Sequence, residues 1–140
     1  MFSPFLRFNQ RESLMNFKGK VLVADDDNDM RVLVKTSLEL NGFEVVTAND
    51  GQQAVEYARD QEIKVIIMDG LMPYLNGFEA SKRIKEFINP NVKIILFTAV
   101  FTQSRFDLEK EKWGIDRLLK KPYFATKMAE EIHHLFGTVH

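Results

Sequence analysis

The sequence predicts an α/β fold, a five-stranded parallel sheet covered by helices on both faces. Three observations predict it. Short runs rich in Val, Ile and Leu alternate five times with stretches of helical periodicity. The runs are apolar throughout rather than at every second residue, the pattern of strands buried on both faces. Gly, Asn and Pro mark the junctions between them. The 140 residues suit one domain, and a hydrophobic content of 45% is enough for a substantial core. The absence of cysteine excludes a disulfide framework and a zinc–thiolate site, and agrees with a reducing cytoplasm.

Residues 1–19 read as an N-terminal extension and residues 20–137 as the folded domain. The extension opens MFSPFLRFNQRESLMNF, without a basic stretch followed by a continuous apolar one, so a secretory signal is not expected. No apolar run reaches the roughly 20 residues that span a bilayer. Phe2, Phe5 and Phe8 recur every three residues, as a disordered tail, a helix resting on its own domain, or an arm for a partner or a dimer would allow. Met15 is a second candidate start. Residues 1–20 carry Arg7, Arg11, Lys18 and Lys20 against Glu12, a net charge of +3, and the remaining 120 residues carry −4. The total of −1 exerts no general pull on nucleic acid or membrane.

KVLVA at 20–24 is the first strand. In the helix that follows, Met30, Leu33, Val34, Ser37 and Leu38 share one side, Asp27 and Asp29 serve as N-cap and first-turn acid, and Asn41-Gly42 stops it. FEVVTA at 43–48 is the second strand. Asn49-Asp50-Gly51 opens a helix with Ala54, Val55 and Ala58 inward. KVIIMD at 64–69 is the third strand and GLMPYLNG its loop. FEASKRIKEFI at 78–88 is helical, with Phe78, Ile84, Phe87 and Ile88 as inner residues, and Asn89-Pro90-Asn91 breaks it. VKIILFTA at 92–99 is the fourth strand. A polar helix spans 103–113 and ends at Gly114. RLLKKP at 117–122 is the fifth strand, and residues 123–136 form a last helix with Phe124, Met128, Ile132 and Leu135 inward.

Parallel strands deliver their carboxyl ends to one edge, where ligands of such sheets bind. Asp25, Asp26 and Asp27 stand at the first strand's end, Asp69 at the third's, Thr98 at the fourth's and Lys121-Pro122 at the fifth's. Adjacent carboxylates repel, so this cluster needs a counter-charge. Carboxylates without His or Cys suit a hard cation such as Mg²⁺. A cation, an ammonium and a hydroxyl together are what a phosphoryl group needs while its oxygens carry charge, and an Asp beside them can act as nucleophile.

With these residues in place, the sequence resembles the receiver domain of two-component response regulators over about residues 19–136. The resemblance rests on VADDD at the first strand end, IIMDGLMPYLNG around Asp69, FTA at 97–99 and LLKKPY at 118–123, with Met72-Pro73 and Gly77 in the loop and Gly114-Ile115-Asp116 before the last strand. It implies a doubly wound, flavodoxin-like sheet of order 2-1-3-4-5. It implies Asp69 as phosphoacceptor and a Mg²⁺ cofactor held by Asp26, Asp69 and the Leu71 backbone carbonyl, with Asp25 acting through a metal-bound water. Thr98 resembles the switch hydroxyl and Lys121 the phosphate-binding lysine, and Pro122 is expected after a cis bond. The donor implied is a sensor histidine kinase or a histidine phosphotransfer protein. The output expected is a phosphorylation-controlled binding switch rather than an enzyme, docking a downstream protein through the 103–136 face, with no direct nucleic acid contact and no residues after 140 for a DNA-binding domain.

Three positions depart from the family pattern. The usual aromatic switch residue is Leu118, so an aromatic flip is impossible. Leu71 and Val100, two residues after Asp69 and Thr98, are apolar and cannot position a hydrolytic water, which predicts slow loss of phosphate. Asn76 replaces a frequent Asp with little expected consequence. Two rival functions compete: a degenerate receiver used as a scaffold, and a Mg²⁺-dependent phosphohydrolase with an aspartyl nucleophile, for which the chain lacks a substrate cap. The Asp25–Asp29 spacing resembles a calcium loop, but Met30 and Thr36 stand where that loop needs Gly and Glu. His133 and His134 read as exposed helix residues, and Lys120 with the charges of EKEKW as a solvated face.

Overall fold

The computed structural model describes residues 19–99, 102–122 and 125–136. The expectations for Phe2, Phe5, Phe8, Met15, Val100 and Phe124 fall outside these residues. The elements are β1 (Lys20–Ala24), α1 (Asn28–Leu40), β2 (Glu44–Ala48), α2 (Gly51–Tyr57), β3 (Ile63–Met68), α3 (Gly77–Arg83) continued by a π turn (Ile84–Ile88), β4 (Lys93–Thr98), α4 (Gln103–Trp113), β5 (Arg117–Lys120), a 3₁₀ turn (Ala125–Lys127) and α5 (Met128–Phe136). All strand pairs are parallel, in the order β2-β1-β3-β4-β5. This is the doubly wound sheet that the sequence predicts.

The strands bury both faces, which is why their sequences do not alternate. Leu22, Ile66, Ile94 and Leu96 face one core with Ala54, Ala80, Ile84, Phe106 and Leu118. Val21, Val23, Val65, Ile67, Ile95 and Phe97 face the other with Val34, Leu38, Met128 and Ile132. The junctions follow local chemistry. Asp27 accepts from the backbone N–H groups of Asp29 and Met30, and Asp50 from that of Gln53, so both helices start where their caps stand. Gly114 ends α4 in the left-handed conformation, φ 70°, that a glycine adopts without strain. Asn89 is buried and its side-chain amide donates to the carbonyls of Ala58 and Ile63, tying the end of the π turn to α2 and β3.

Four expectations need correction. The helix expected over 78–88 changes pitch at Ile84, and the Asn89 N–H donates to the Ile84 carbonyl, five residues back. The wider turn keeps Ile84 inside and swings Phe87 out to 78% exposure, so Phe87 is not an inner residue. Leu33 lies at the solvent-facing margin of the α1 stripe, 54% exposed. The last helix opens with a 3₁₀ turn at Ala125, and α5 proper begins at Met128. His133 is buried, 3% exposed, with its ring 6.4 Å from that of Phe43. Burial, helped by His134 beside it, lowers its pKa from the ordinary imidazole value. His134 is exposed as expected.

Candidate functional site

The strand register brings the predicted groups together. The Asp69 N–H donates to the Ala24 carbonyl and the Asp25 N–H to that of Ala48, so the ends of β2, β1 and β3 are level. The Lys121 N–H donates to the Thr98 carbonyl and levels β5 with β4. Asp25, Asp26 and Asp69 therefore converge, each with a carboxylate oxygen within 4.8 Å of the others'. Asp25 and Asp69 are buried and Asp26 is exposed. Lys121 reaches in from just past the end of β5, its Nζ 2.8 Å from Asp25 Oδ2, 3.5 Å from Asp69 Oδ2 and 5.3 Å from the centre of the Phe97 ring. The peptide bond between Lys121 and Pro122 is cis, as the family resemblance implies.

Asp25 is held on every side. Its Oδ1 accepts from the Asp27 N–H at 2.9 Å, its Oδ2 from Lys121, and its carbonyl from Arg31 Nη1 at 2.7 Å. Asp69 has fewer partners: the Leu71 N–H at 3.3 Å and the more distant ammonium. Burial, and then the charge of Asp25, push the Asp69 carboxyl up to about 6, against the opposing pull of Lys121 and the Leu71 N–H. Burial alone would lower the Lys121 pKa, but hydrogen bonds and charge from Asp25 and Asp69 outweigh it and raise the value. Three carboxylate oxygens with one open, solvent-facing side fit a hard cation that keeps part of its water shell.

The loop after β3 shapes the rest. The Gly77 N–H donates to the Gly70 carbonyl at 3.0 Å, and a Cβ on Gly77 would fall 1.9 Å from the Asp69 carbonyl oxygen. Only glycine lets the start of α3 lie against the acidic strand end. A Cβ on Gly70 would stand 2.8 Å from the Phe78 ring and 3.4 Å from the buried Thr98 hydroxyl, which places Thr98 directly behind Gly70. At the loop's tip the Leu75 N–H donates to the Pro73 carbonyl two residues back, around Tyr74 at φ 69°, a three-residue turn of the rarer, strained kind. Leu71 is 55% exposed at the mouth of the site. Leu118 is buried in the core beneath α4, among Phe106, Ile94 and Leu96.

Sequence reasoning missed Arg31. A cation in the first turn of a helix sits against the positive end of the helix dipole, and that misfit was the available signal. Its explanation is the pair of acceptors that it spans, the Asp25 carbonyl and Asn28 Oδ1, each at 2.7 Å.

Comparison with known proteins agrees with this architecture. The family model for the response regulator receiver domain matches residues 21–133. The chain is 35% identical over 115 residues to the chemotaxis protein CheY of Bacillus subtilis, covering 81% of this chain and 94% of that one. It is 40% identical over 105 residues to the transcriptional regulatory protein CpxR homolog of Haemophilus influenzae, covering 75% of this chain but 44% of that protein. Among solved structures, the receiver domain of the Francisella response regulator 1452 is 33% identical with a TM-score of 0.75, over 85% of this chain and 97% of that one.

Proposed function

The chain belongs to the response regulator receiver family, and on that premise we propose that it is a binding switch thrown by transfer of a phosphoryl group to Asp69. The observation that carries this reading is the placement of Asp69. It is buried at the sheet's carboxyl edge, beside two further carboxylates and within 3.5 Å of an ammonium, with its pKa raised. A bound Mg²⁺ would be held by Asp26, Asp69 and the Leu71 carbonyl, with Asp25 acting through a metal-bound water, and would neutralise charge on the transferring group.

The chain's own residues account for the rest of the step. An Asp69 oxygen attacks phosphorus in line as the bond to the donor's histidine nitrogen breaks, and because the donor ring carries a proton on its other nitrogen it leaves as a neutral imidazole, with an aspartyl phosphate on Asp69. Lys121 turns from the Asp69 carboxylate to the new phosphoryl oxygens, and Asp25 keeps it oriented. Thr98, behind Gly70, donates its hydroxyl to the same group, and that movement carries the change to the face formed by α4, β5 and α5. The donor is a sensor histidine kinase or a histidine phosphotransfer protein, and the output is contact with a downstream protein through the 103–136 face. The chemistry resides in the domain, but its product is a conformational state rather than a released metabolite. Leu118 removes the aromatic movement that often accompanies this change, so the readout runs through Thr98 and the loop after it.

Intact-mass spectrometry tests the reading. With Mg²⁺ and acetyl phosphate, one phosphate adduct is expected on the chain, and EDTA is expected to prevent it. A chain that binds Mg²⁺ yet takes no phosphoryl group from any donor would be a scaffold, and this reading would fall.

The lifetime of the adduct follows from the mouth of the site. Leu71 offers no group that could orient or deprotonate a water, and such assistance contributes on the order of 10²–10⁴ in rate. After donor removal the adduct is expected to decay over minutes or longer, followed by timed mass spectra. A half-life of seconds would show that another residue supplies the water.

A further inference from the structure

We infer that Arg31 is a positioning residue for the cation, fixing the direction of Asp26. This rests on the metal reading above. Asp26 is the one exposed carboxylate of the three. Among the described residues its carboxylate accepts no hydrogen bond, so its aim depends on its backbone alone. The Asp25 carbonyl belongs to the planar peptide unit that joins Asp25 to Asp26. Arg31 Nη1 grips that carbonyl at 2.7 Å, and Nη2 holds Asn28 Oδ1 at 2.7 Å. The rigid guanidinium fork thus ties the peptide before Asp26 to the first residue of α1. With the preceding peptide plane and the start of α1 both tied to one guanidinium, the backbone on either side of Asp26 is held and the directions open to its Cα–Cβ bond are narrowed.

Two effects of Arg31 on a cation oppose each other, and this makes the inference testable. Its positive charge is held at the Asp25 backbone, beside the acidic strand end, and opposes a second cation there. Its grip preorders the ligand and strengthens binding. Electrostatics alone predicts that removing the charge tightens Mg²⁺ binding. Positioning predicts the reverse, because loss of a group that orients a metal ligand typically costs about 10–100-fold in affinity.

The experiment is calorimetric titration of the full chain with Mg²⁺ at fixed ionic strength, for the parent, Arg31→Met, Arg31→Lys and Asn28→Ala. Arg31→Met is expected to bind about tenfold more weakly despite losing a repelling charge. Arg31→Lys keeps the charge, loses the fork, and is expected to weaken binding as well. Asn28→Ala leaves the grip on the carbonyl but frees one arm, and is expected to show a smaller loss. A merely structural arginine would lower the melting temperature in EDTA and leave the Mg²⁺ dissociation constant unchanged. Binding by Arg31→Met as tight as the parent's, or tighter, overturns the inference while the metal reading stands. A parent that binds no Mg²⁺ overturns both. Should Arg31→Met fail to fold, Asn28→Ala decides: weaker binding supports the inference and unchanged binding overturns it.

Discussion

Asp69→Asn is expected to abolish the phosphate adduct and, in the same protein, to raise stability. The first effect follows from the chemistry: an amide cannot attack phosphorus as a carboxylate does. The second follows from the cost of keeping Asp69 charged. Its pKa near 6 lies above the ordinary 3.8, because burial and the charge of Asp25 outweigh the help from Lys121 and the Leu71 N–H. The folded chain therefore holds this proton more tightly than the unfolded chain does. The favourable contribution is complete below about pH 4 and is lost as pH rises through about 6. Without metal, above that range, the parent carries a carboxylate in a place that disfavours it. An uncharged amide of the same shape removes the penalty, worth about 1 kcal/mol or 2–5 °C in melting temperature after allowance for solvent screening. In EDTA the gap between variant and parent should be small near pH 4 and full by pH 7. A variant no more stable than the parent at pH 7 would show that Lys121 compensates the charge completely. An adduct that persists on the variant would place the acceptor elsewhere.

Gly77→Ala should be among the most damaging single-methyl additions in the chain. Two effects compete. In an ordinary helix the change from Gly to Ala stabilises by about 1 kcal/mol. Here the added carbon would lie 1.9 Å from the Asp69 carbonyl oxygen and 2.9 Å from Met68 Cγ. The nearest atom belongs to the backbone of a strand end held in the centre of the sheet, and it cannot step aside as a flexible side chain would. Overpacking of this kind costs about 1–3 kcal/mol or more, so the clash wins. Relief requires the loop after β3 to move away from Asp69, carrying the Leu71 carbonyl with it. Thermal denaturation should show a fall of more than about 5 °C, and phosphoryl uptake should drop even where the variant stays folded. A melting temperature equal to the parent's would mean that the start of α3 can shift without cost.

Most of the site was legible because strand ends are legible. A parallel strand buried on both faces is a short apolar run with an abrupt polar end, and Asp25, Asp26, Asp69, Thr98 and Lys121 all sit at such ends. Once the runs are recognised as parallel, these residues have to share an edge. What stayed hidden depends on geometry within a turn. The sequence IKEFI has the composition of an α-helix, and nothing in it announces the wider pitch that exposes Phe87. His133 looks like a surface residue beside His134, yet it is buried with its ring near that of Phe43, which is distant in sequence. The steric need for glycine at position 77 arises from a backbone atom eight residues earlier. Arg31 offered only the misfit of a cation in a helix's first turn, because one of its two acceptors is a main-chain carbonyl that residue type does not reveal.

The contact between Lys121 and Asp25 closes a loop of 96 residues. It forms only when β5 has taken its place at the far side of the sheet from β2. Until then the acidic strand ends have no lysine to steady them, and Asp69 is an ordinary aspartate on an incomplete scaffold. The full set of site residues is therefore complete only when all five strands are in place. A chain that ends before β5 would carry every acidic residue of the site and lack the lysine that pairs with them. The same ion pair that orders Asp25 ties the acidic edge to the last strand of the sheet.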